Sequence, residues 1–175
     1  MATREISSTG GRLLVSEVDG LIQARGVRYA TADRFTPPFP VVASPDVVDA
    51  TARGPACPQL PSRLGFLTGP VGDELETSEQ CQVLSVTAPA DATDLPVMVW
   101  FHGGAYVSGS GEAAKYDPDA LVREGRVIVV RVAPSVPAVA NASAPQARVA
   151  IHRRYGCGAM MIWSSSARAS LGEIS

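Results

Sequence analysis

Short apolar runs separated by turn-forming residues dominate the first 130 positions, a pattern of strands rather than of long helices. Leu13 to Ser16 and Leu21 to Arg25 read as extended segments joined by Glu17-Val18-Asp19-Gly20, where Asp-Gly is the hairpin signal. Prolines at 37, 38 and 40 forbid helix and favour an extended crossing of the surface. Val47 to Ala52 reads as a further short strand. Residues 54–72 are rich in Gly and Pro and read as a long loop with Leu64, Phe66 and Leu67 tucked beneath it. Gln82 to Thr87, rich in Val and Leu, is a strand, and Asp91-Ala92-Thr93-Asp94 a turn.

The run Val97-Met98-Val99-Trp100-Phe101 ends abruptly in His102-Gly103-Gly104. A continuous apolar run bounded by turn residues reads as a strand buried on both faces, the middle of a parallel or mixed sheet. Two glycines at its carboxyl end let the backbone approach a ligand and turn its N–H groups outward. That is the arrangement an oxyanion hole requires, although for a glycine pair alone a plain strand-to-turn junction is the commoner explanation. Farther on, Asp117-Pro118 reads as a helix start, with Asp as cap and Pro at the first helical position. Asp119 to Glu124 is then a short helix closed by Gly125, and Val127 to Val130 a second fully apolar strand. Strand, glycine loop, helix and strand make a βαβ unit, so the fold class is α/β with a parallel pair in its sheet.

A chain of 175 residues, 46% hydrophobic and 18% charged, is globular and long enough for one domain with a real core. A net charge of −2 without a basic patch argues against nucleic acid. No apolar run reaches bilayer length, which argues against a membrane partner. No apolar segment follows Met1-Ala2-Thr3-Arg4-Glu5, so the expected address is cytoplasmic. The three cysteines and two histidines do not fall at zinc spacing, and neither a metal nor a cofactor is expected. No specific protein partner is implied.

The averages conceal a break. Residues 1–130 hold sixteen acidic and ten basic residues, whereas residues 131–175 hold one acid, Glu173, and five arginines, with ten Ala and seven Ser. Beyond Val130 no helical or strand period is sustained. The expected organisation is a patterned part, 1–130, and an irregular tail, 131–175, that offers little apolar surface to bury.

Several segments of the patterned part, taken together, resemble the type-B carboxylesterases, the cholinesterase-like branch of the α/β-hydrolases. Gly26-Val27-Arg28-Tyr29-Ala30 followed by Arg34-Phe35 is similar to the family's Gly-Ile-Pro-Tyr-Ala and later Arg-Phe. Gly54-Pro55-Ala56-Cys57-Pro58-Gln59 resembles Gly-Pro-x-Cys-Pro-Gln, and Ser78-Glu79-Gln80-Cys81 resembles Ser-Glu-Asp-Cys. Pro96 to Gly104 is close to Pro-Val-hydrophobic-Trp-Ile-His-Gly-Gly, and Tyr116-Asp117 and Val127–Val130 continue in register. Each motif alone is weak. Five in the right order are specific, and they imply the amino-terminal part of an α/β-hydrolase fold: a small antiparallel region, then the first strands and helix of a central mixed sheet.

The chain departs from the pattern at Arg28 and Gln80, and completely after Val130. The family continues with Asn-Tyr-Arg-Leu-Gly, whereas this chain reads Arg131-Val132-Ala133-Pro134-Ser135. A remnant resembling Asn-Ile-x-x-Phe-Gly-Gly-Asp stands at Ile151-His152-Arg153-Arg154-Tyr155-Gly156-Cys157-Gly158. The nucleophile elbow, Gly-x-Ser-x-Gly, should follow, yet Ser164-Ser165-Ser166-Ala167-Arg168-Ala169-Ser170 has no flanking glycine. A reading-frame shift in a GC-rich gene would produce such islands. Translating the source DNA across codons 125–175 in all three frames tests this, and failure to recover Asn-Tyr-Arg-Leu-Gly or Gly-x-Ser-x-Gly would refute it.

The resemblance implies a serine mechanism on carboxylic esters, with serine, acid and histidine all downstream of the glycine loop. None of the three carries over, and His152 falls in the wrong order for the base. Carried over are the backbone N–H groups of Gly103 and Gly104 as oxyanion donors, with His102 as a loop-orienting residue. The resemblance further pairs Arg34 with Glu79 and sets Cys57 and Cys81 at the family's first disulfide. Reduced thiols and a bridge both stay open, and a bridge would imply secretion. The expected activity is ester hydrolysis by the completed protein, with this chain inactive by itself. The alternative is a noncatalytic esterase-like interaction module. In either case an uncovered central strand such as Val127–Val130 would invite aggregation.

Overall fold

The computed structural model describes residues 2–8, 10–62, 65–104 and 107–133, and the backbone of 160–169. In chain order, the elements begin with β1 (Ala2–Ser8), β2 (Gly11–Val18), β3 (Leu21–Arg28), β4 (Ala30–Thr31), β5 (Phe39–Pro40) and β6 (Ser44–Asp49). They continue with α1 (Gly65–Thr68), β7 (Val83–Pro89), β8 (Leu95–Phe101), α2 (Asp119–Gly125), β9 (Ile128–Ala133) and β10 (Met160–Ala169). One mixed sheet runs β1-β2-β3-β7-β9-β8-β10, with β6 beside β2, while β4 and β5 form a separate pair.

The hairpin between β2 and β3 closes tightly, because Val18 pairs Leu21 and leaves a two-residue loop. Asp19 and Gly20 both adopt positive φ, 49° and 76°, as a turn matched to the sheet twist requires. β8 and β9 are parallel, with α2 crossing between them, so the expected βαβ unit is present. On one face of the sheet Leu21, Val127, Val129 and Met98 pack against Val122 of α2. The opposite face gathers Val15, Ile22, Ala24, Val86, Ala88 and Ile128. It opens as an apolar groove of about 450 Å³ whose walls include Leu84, Val97, Val99 and Val130.

Seven expectations need correction. The strand read over Val47–Ala52 lies at Ser44–Asp49, and β8 is half-buried throughout rather than buried on both faces. Strand β1 is an addition, since its Arg4 and Glu5 side chains are those of a charged edge and do not show the alternation of a buried strand. Phe66 and Leu67 are not tucked under a loop but exposed, at 88% and 75%; Leu64 lies outside the described residues. Asp117 does not cap α2. Pro118 occupies the cap position without a side-chain bond, and the Asp117 carboxylate is engaged by arginines instead. Gly125 belongs to the last turn, which Arg126 closes in the left-handed region at φ 49°. The strand after α2 neither stops at Val130 nor lies open at its edges. It runs through Arg131 to Ala133, between β7 and β8.

The tail also contributes an element that irregular sequence does not announce. Met160–Ala169 pairs antiparallel with β8, its register shifting between Ser164 and Arg168. The outer edge of β8 offers unpaired backbone groups, and a following segment can answer them whatever its side chains. The remnant Ile151–Gly158, with His152 and Cys157, lies outside the described residues.

Candidate functional site

Strand β8 delivers Phe101 to the sheet's edge, and the glycine loop starts there. The carbonyl of Gly104 accepts the N–H groups of Val107 at 3.0 Å and Ser108 at 3.2 Å, closing a tight turn. Gly104 sits at φ 136°, and a Cβ there would lie 1.6 Å from the Ser108 carbonyl oxygen. No side chain fits that space. The Gly103 carbonyl lies 2.8 Å from Nδ1 of His102, so the Nδ1–H tautomer donates to it. Burial pushes the His102 pKa down, against the opposing effect of that bond. Both carbonyls of the glycine pair are thus engaged, whereas among the described residues no acceptor is found for the Gly103 and Gly104 N–H groups.

Behind the loop lies a polar layer on the α2 side of the sheet. Arg131, opposite Trp100 on β8 and Ser85 on β7, is 1% exposed. Its Nη1 lies 3.0 Å from Oδ1 of Asp117, and the same carboxylate meets Arg53 at 2.5 Å and Arg25 at 3.3 Å. Burial would raise the Asp117 pKa, but the Arg53 hydrogen bonds and the charges of Arg131, Arg53 and Arg25 prevail and hold it below the usual carboxylate range. Burial also pushes Arg131 below its ordinary value, although Asp117 and Glu112 favour its charge.

Glu112, fully buried, accepts from the Ser85 hydroxyl at 2.6 Å and from the Gly54 N–H at 3.0 Å, and its carbonyl accepts from Arg53 at 2.7 Å. These bonds fix the segment that leaves the glycine loop. Gly54 in turn lies against Gly26, where a Cβ would come within 2.8 Å of the Gly54 nitrogen. The glycines of two motifs therefore meet backbone to backbone. Trp100 stacks obliquely on Tyr116, ring centroids 4.7 Å apart, which holds the Ala114–Tyr116 turn on the sheet.

The remaining expected pairs are placed together. Arg34 Nε lies 2.6 Å from Glu79 Oε1, and its Nη2 also contacts that oxygen. The pair is exposed, so it orders a loop more than it stabilises the fold. Cys57 and Cys81 are both thiols, and they are in contact. The hydrogen bond with Cys57, together with burial, pushes the Cys81 thiol up. Oxidising the purified chain is expected to bridge them and to stabilise it by about 3 kcal/mol through loop closure. Urea unfolding of oxidised chain against Cys81→Ser checks this, equal midpoints being the contrary result.

Arg25, Arg53, Glu112 and Arg131 escape a reading of spacing, because each acts through a partner distant in sequence. The one signal available is a lone Glu inside a small-residue loop, Gly109-Ser110-Gly111-Glu112. Among the described residues no group of three or more His, Cys, Asp or Glu could hold a metal ion. No helix among them is long and apolar enough to cross a membrane.

The twisted mixed sheet, its βαβ unit and the glycine loop at the end of β8 define the amino-terminal part of an α/β-hydrolase fold, as comparison with solved esterases bears out. A thermophilic para-nitrobenzyl esterase superposes with a TM-score of 0.67 at 36% identity, covering 76% of this chain and 28% of that one. The carboxylesterase family model matches residues 9–133, and the chain belongs to that family. In sequence it is 44% identical over 110 residues to a probable N-octanoylanthranilate hydrolase of Rhodococcus erythropolis, covering 61% of this chain and 24% of the relative. It is 37% identical over 135 residues to the para-nitrobenzyl esterase of Bacillus subtilis, covering 74% and 27%. The chain thus spans about a quarter of the length of either relative. The family match ends at residue 133, where β9 also ends.

Proposed function

We propose that residues 1–133 form the oxyanion-hole portion of a serine carboxylesterase acting on small carboxylic esters. The observation that carries this reading is the pair of N–H groups at Gly103 and Gly104 that meet no acceptor among the described residues, on a loop whose carbonyls are already bonded. Donors fixed in advance need no reorganisation when the carbonyl oxygen becomes an oxyanion, and this makes them effective. His102 orients the loop: Nδ1–H ties down the Gly103 carbonyl, so the same peptide plane presents Gly104 N–H on its other side. It is not the catalytic base.

The 175 residues contain no Gly-x-Ser-x-Gly, so the family's nucleophile elbow is absent from this sequence, and the donor expected after the nucleophile with it. The family match runs to residue 133, and a reading-frame shift near the break at residue 131 is the explanation proposed for the divergent tail. A cytoplasmic address keeps Cys57 and Cys81 reduced, while an oxidising compartment would bridge them.

The test supplies what is absent. Residues 9–133 are grafted in place of the matching segment of the Bacillus subtilis para-nitrobenzyl esterase, and hydrolysis of a short-chain nitrophenyl ester is measured. The graft is expected to be active; a folded graft without activity would defeat the proposal.

A further inference from the structure

Gly109 forms the outgoing arm of the glycine loop and lies back over its ingoing arm. A Cβ on Gly109 would stand 2.7 Å from the Gly103 carbonyl oxygen and 2.8 Å from His102 Nδ1. Where Gly109 sits therefore decides how much room the His102 ring and the Gly103 peptide have. Yet Gly109 takes part in no backbone–backbone hydrogen bond among the described residues. Both of its main-chain groups go to one side chain. Gln59 Nε2 donates to the Gly109 carbonyl at 3.1 Å, and Gln59 Oε1 accepts the Gly109 N–H.

We propose that Gln59 is a positioning residue for the oxyanion-hole loop, a role that rests on the reading of Gly103 and Gly104 given above. A carboxamide carries a donor and an acceptor on one planar head, so it can pair with a peptide unit as a neighbouring strand would. Leucine offers neither group, and glutamate only the acceptor. Gln59 is itself well anchored. Close before it, the Ala56 N–H donates to Glu76 at 2.8 Å and the Ala56 carbonyl accepts from Ser78 at 2.9 Å, so the side chain projects from backbone tied to a second segment. Fixed support of this kind is what keeps a site within the narrow tolerance catalysis needs. Without Gln59, the Gly109 amide and carbonyl have no partner among the described residues. The outgoing arm is then free to lift, and the directions of the Gly103 and Gly104 N–H groups are no longer set.

Residue-resolved hydrogen exchange on the full 175-residue chain tests the proposal. In Gln59→Leu the amides of Gly109, Val107 and Ser108 are expected to exchange about tenfold faster, the effect of losing roughly 1.4 kcal/mol of local hydrogen bonding. Amides of β7 and β9 should be unchanged. Gln59→Glu keeps the acceptor and should hold Gly109 protection within about threefold of the parent chain. A general contribution to folding would instead speed loop and sheet amides together. That outcome, or loop amides that exchange equally in the parent chain and in Gln59→Leu, overturns the proposal. Exchange rates do not depend on whether an oxyanion ever forms, so failure of the catalytic reading would show separately, as an inactive graft.

Discussion

Replacing Asp117 by asparagine is expected to destabilise the chain by about 3–5 kcal/mol, the cost of removing one partner from a buried ionic group. Three guanidinium groups meet this carboxylate, and one of them, Arg131, is almost fully enclosed between β7 and β8. Asparagine keeps the shape but leaves those charges without their counter-ion. Since small domains are stable by only about 5–15 kcal/mol, much of the population should unfold in mild urea. The same group sets an acid limit. Its folded pKa is held below the ordinary value, so its stabilising effect is complete above about pH 4 and fades as pH falls through the folded pKa. Urea midpoints from pH 7 down to pH 3 should fall in the parent chain, and the Asp117→Asn chain should lack the part of the fall that this group causes. A loss below about 1 kcal/mol at pH 7 would mean that the three arginines do not depend on Asp117.

The second large effect concerns rate. Gly104→Ala in the grafted esterase is expected to lower kcat by about 10²–10³ with little change in KM, the usual consequence of losing an oxyanion donor. The added Cβ meets the Ser108 carbonyl at 1.6 Å, and φ is 136°, so the turn cannot close with any side chain present. Backbone movement at Gly104 alters the direction of its N–H, and the ground-state ester, which needs that donor far less, binds as before. A parallel loss of folded protein would point to a structural role, so circular dichroism must accompany the kinetics. An unchanged kcat in a folded variant would remove Gly104 from the oxyanion hole.

Much of the sheet was legible because its inner strands are short apolar runs. Val97–Phe101 and the Val127–Val130 segment could scarcely be anything else, and Asp19-Gly20 named its own turn. The glycine loop was legible for a similar reason, since Gly103 and Gly104 follow an apolar strand directly. What escaped was decided by distant contacts. Asp117 before Pro118 looks like a helix cap, and only the convergence of Arg25, Arg53 and Arg131 shows why its carboxylate turns the other way. Arg131 looked like the first residue of a foreign tail because a lone charge breaks an apolar run, yet the strand carries it into the ionic layer. Gln59 stood inside a matched motif without a role, since its partner Gly109 is 50 residues away. Strand β1 was hidden by polar side chains suited to an edge.

On the function proposed above, this chain carries an oxyanion-hole loop without the nucleophile that would use it. The most direct measurement is hydrolysis of a short-chain nitrophenyl ester by the purified 175-residue chain, beside the same chain carrying Gly103→Val and Gly104→Val. Equal rates are expected, neither above the uncatalysed background. Hydrolysis by the parent chain that disappears in the double variant would contradict it, because a nucleophile would then lie within these 175 residues.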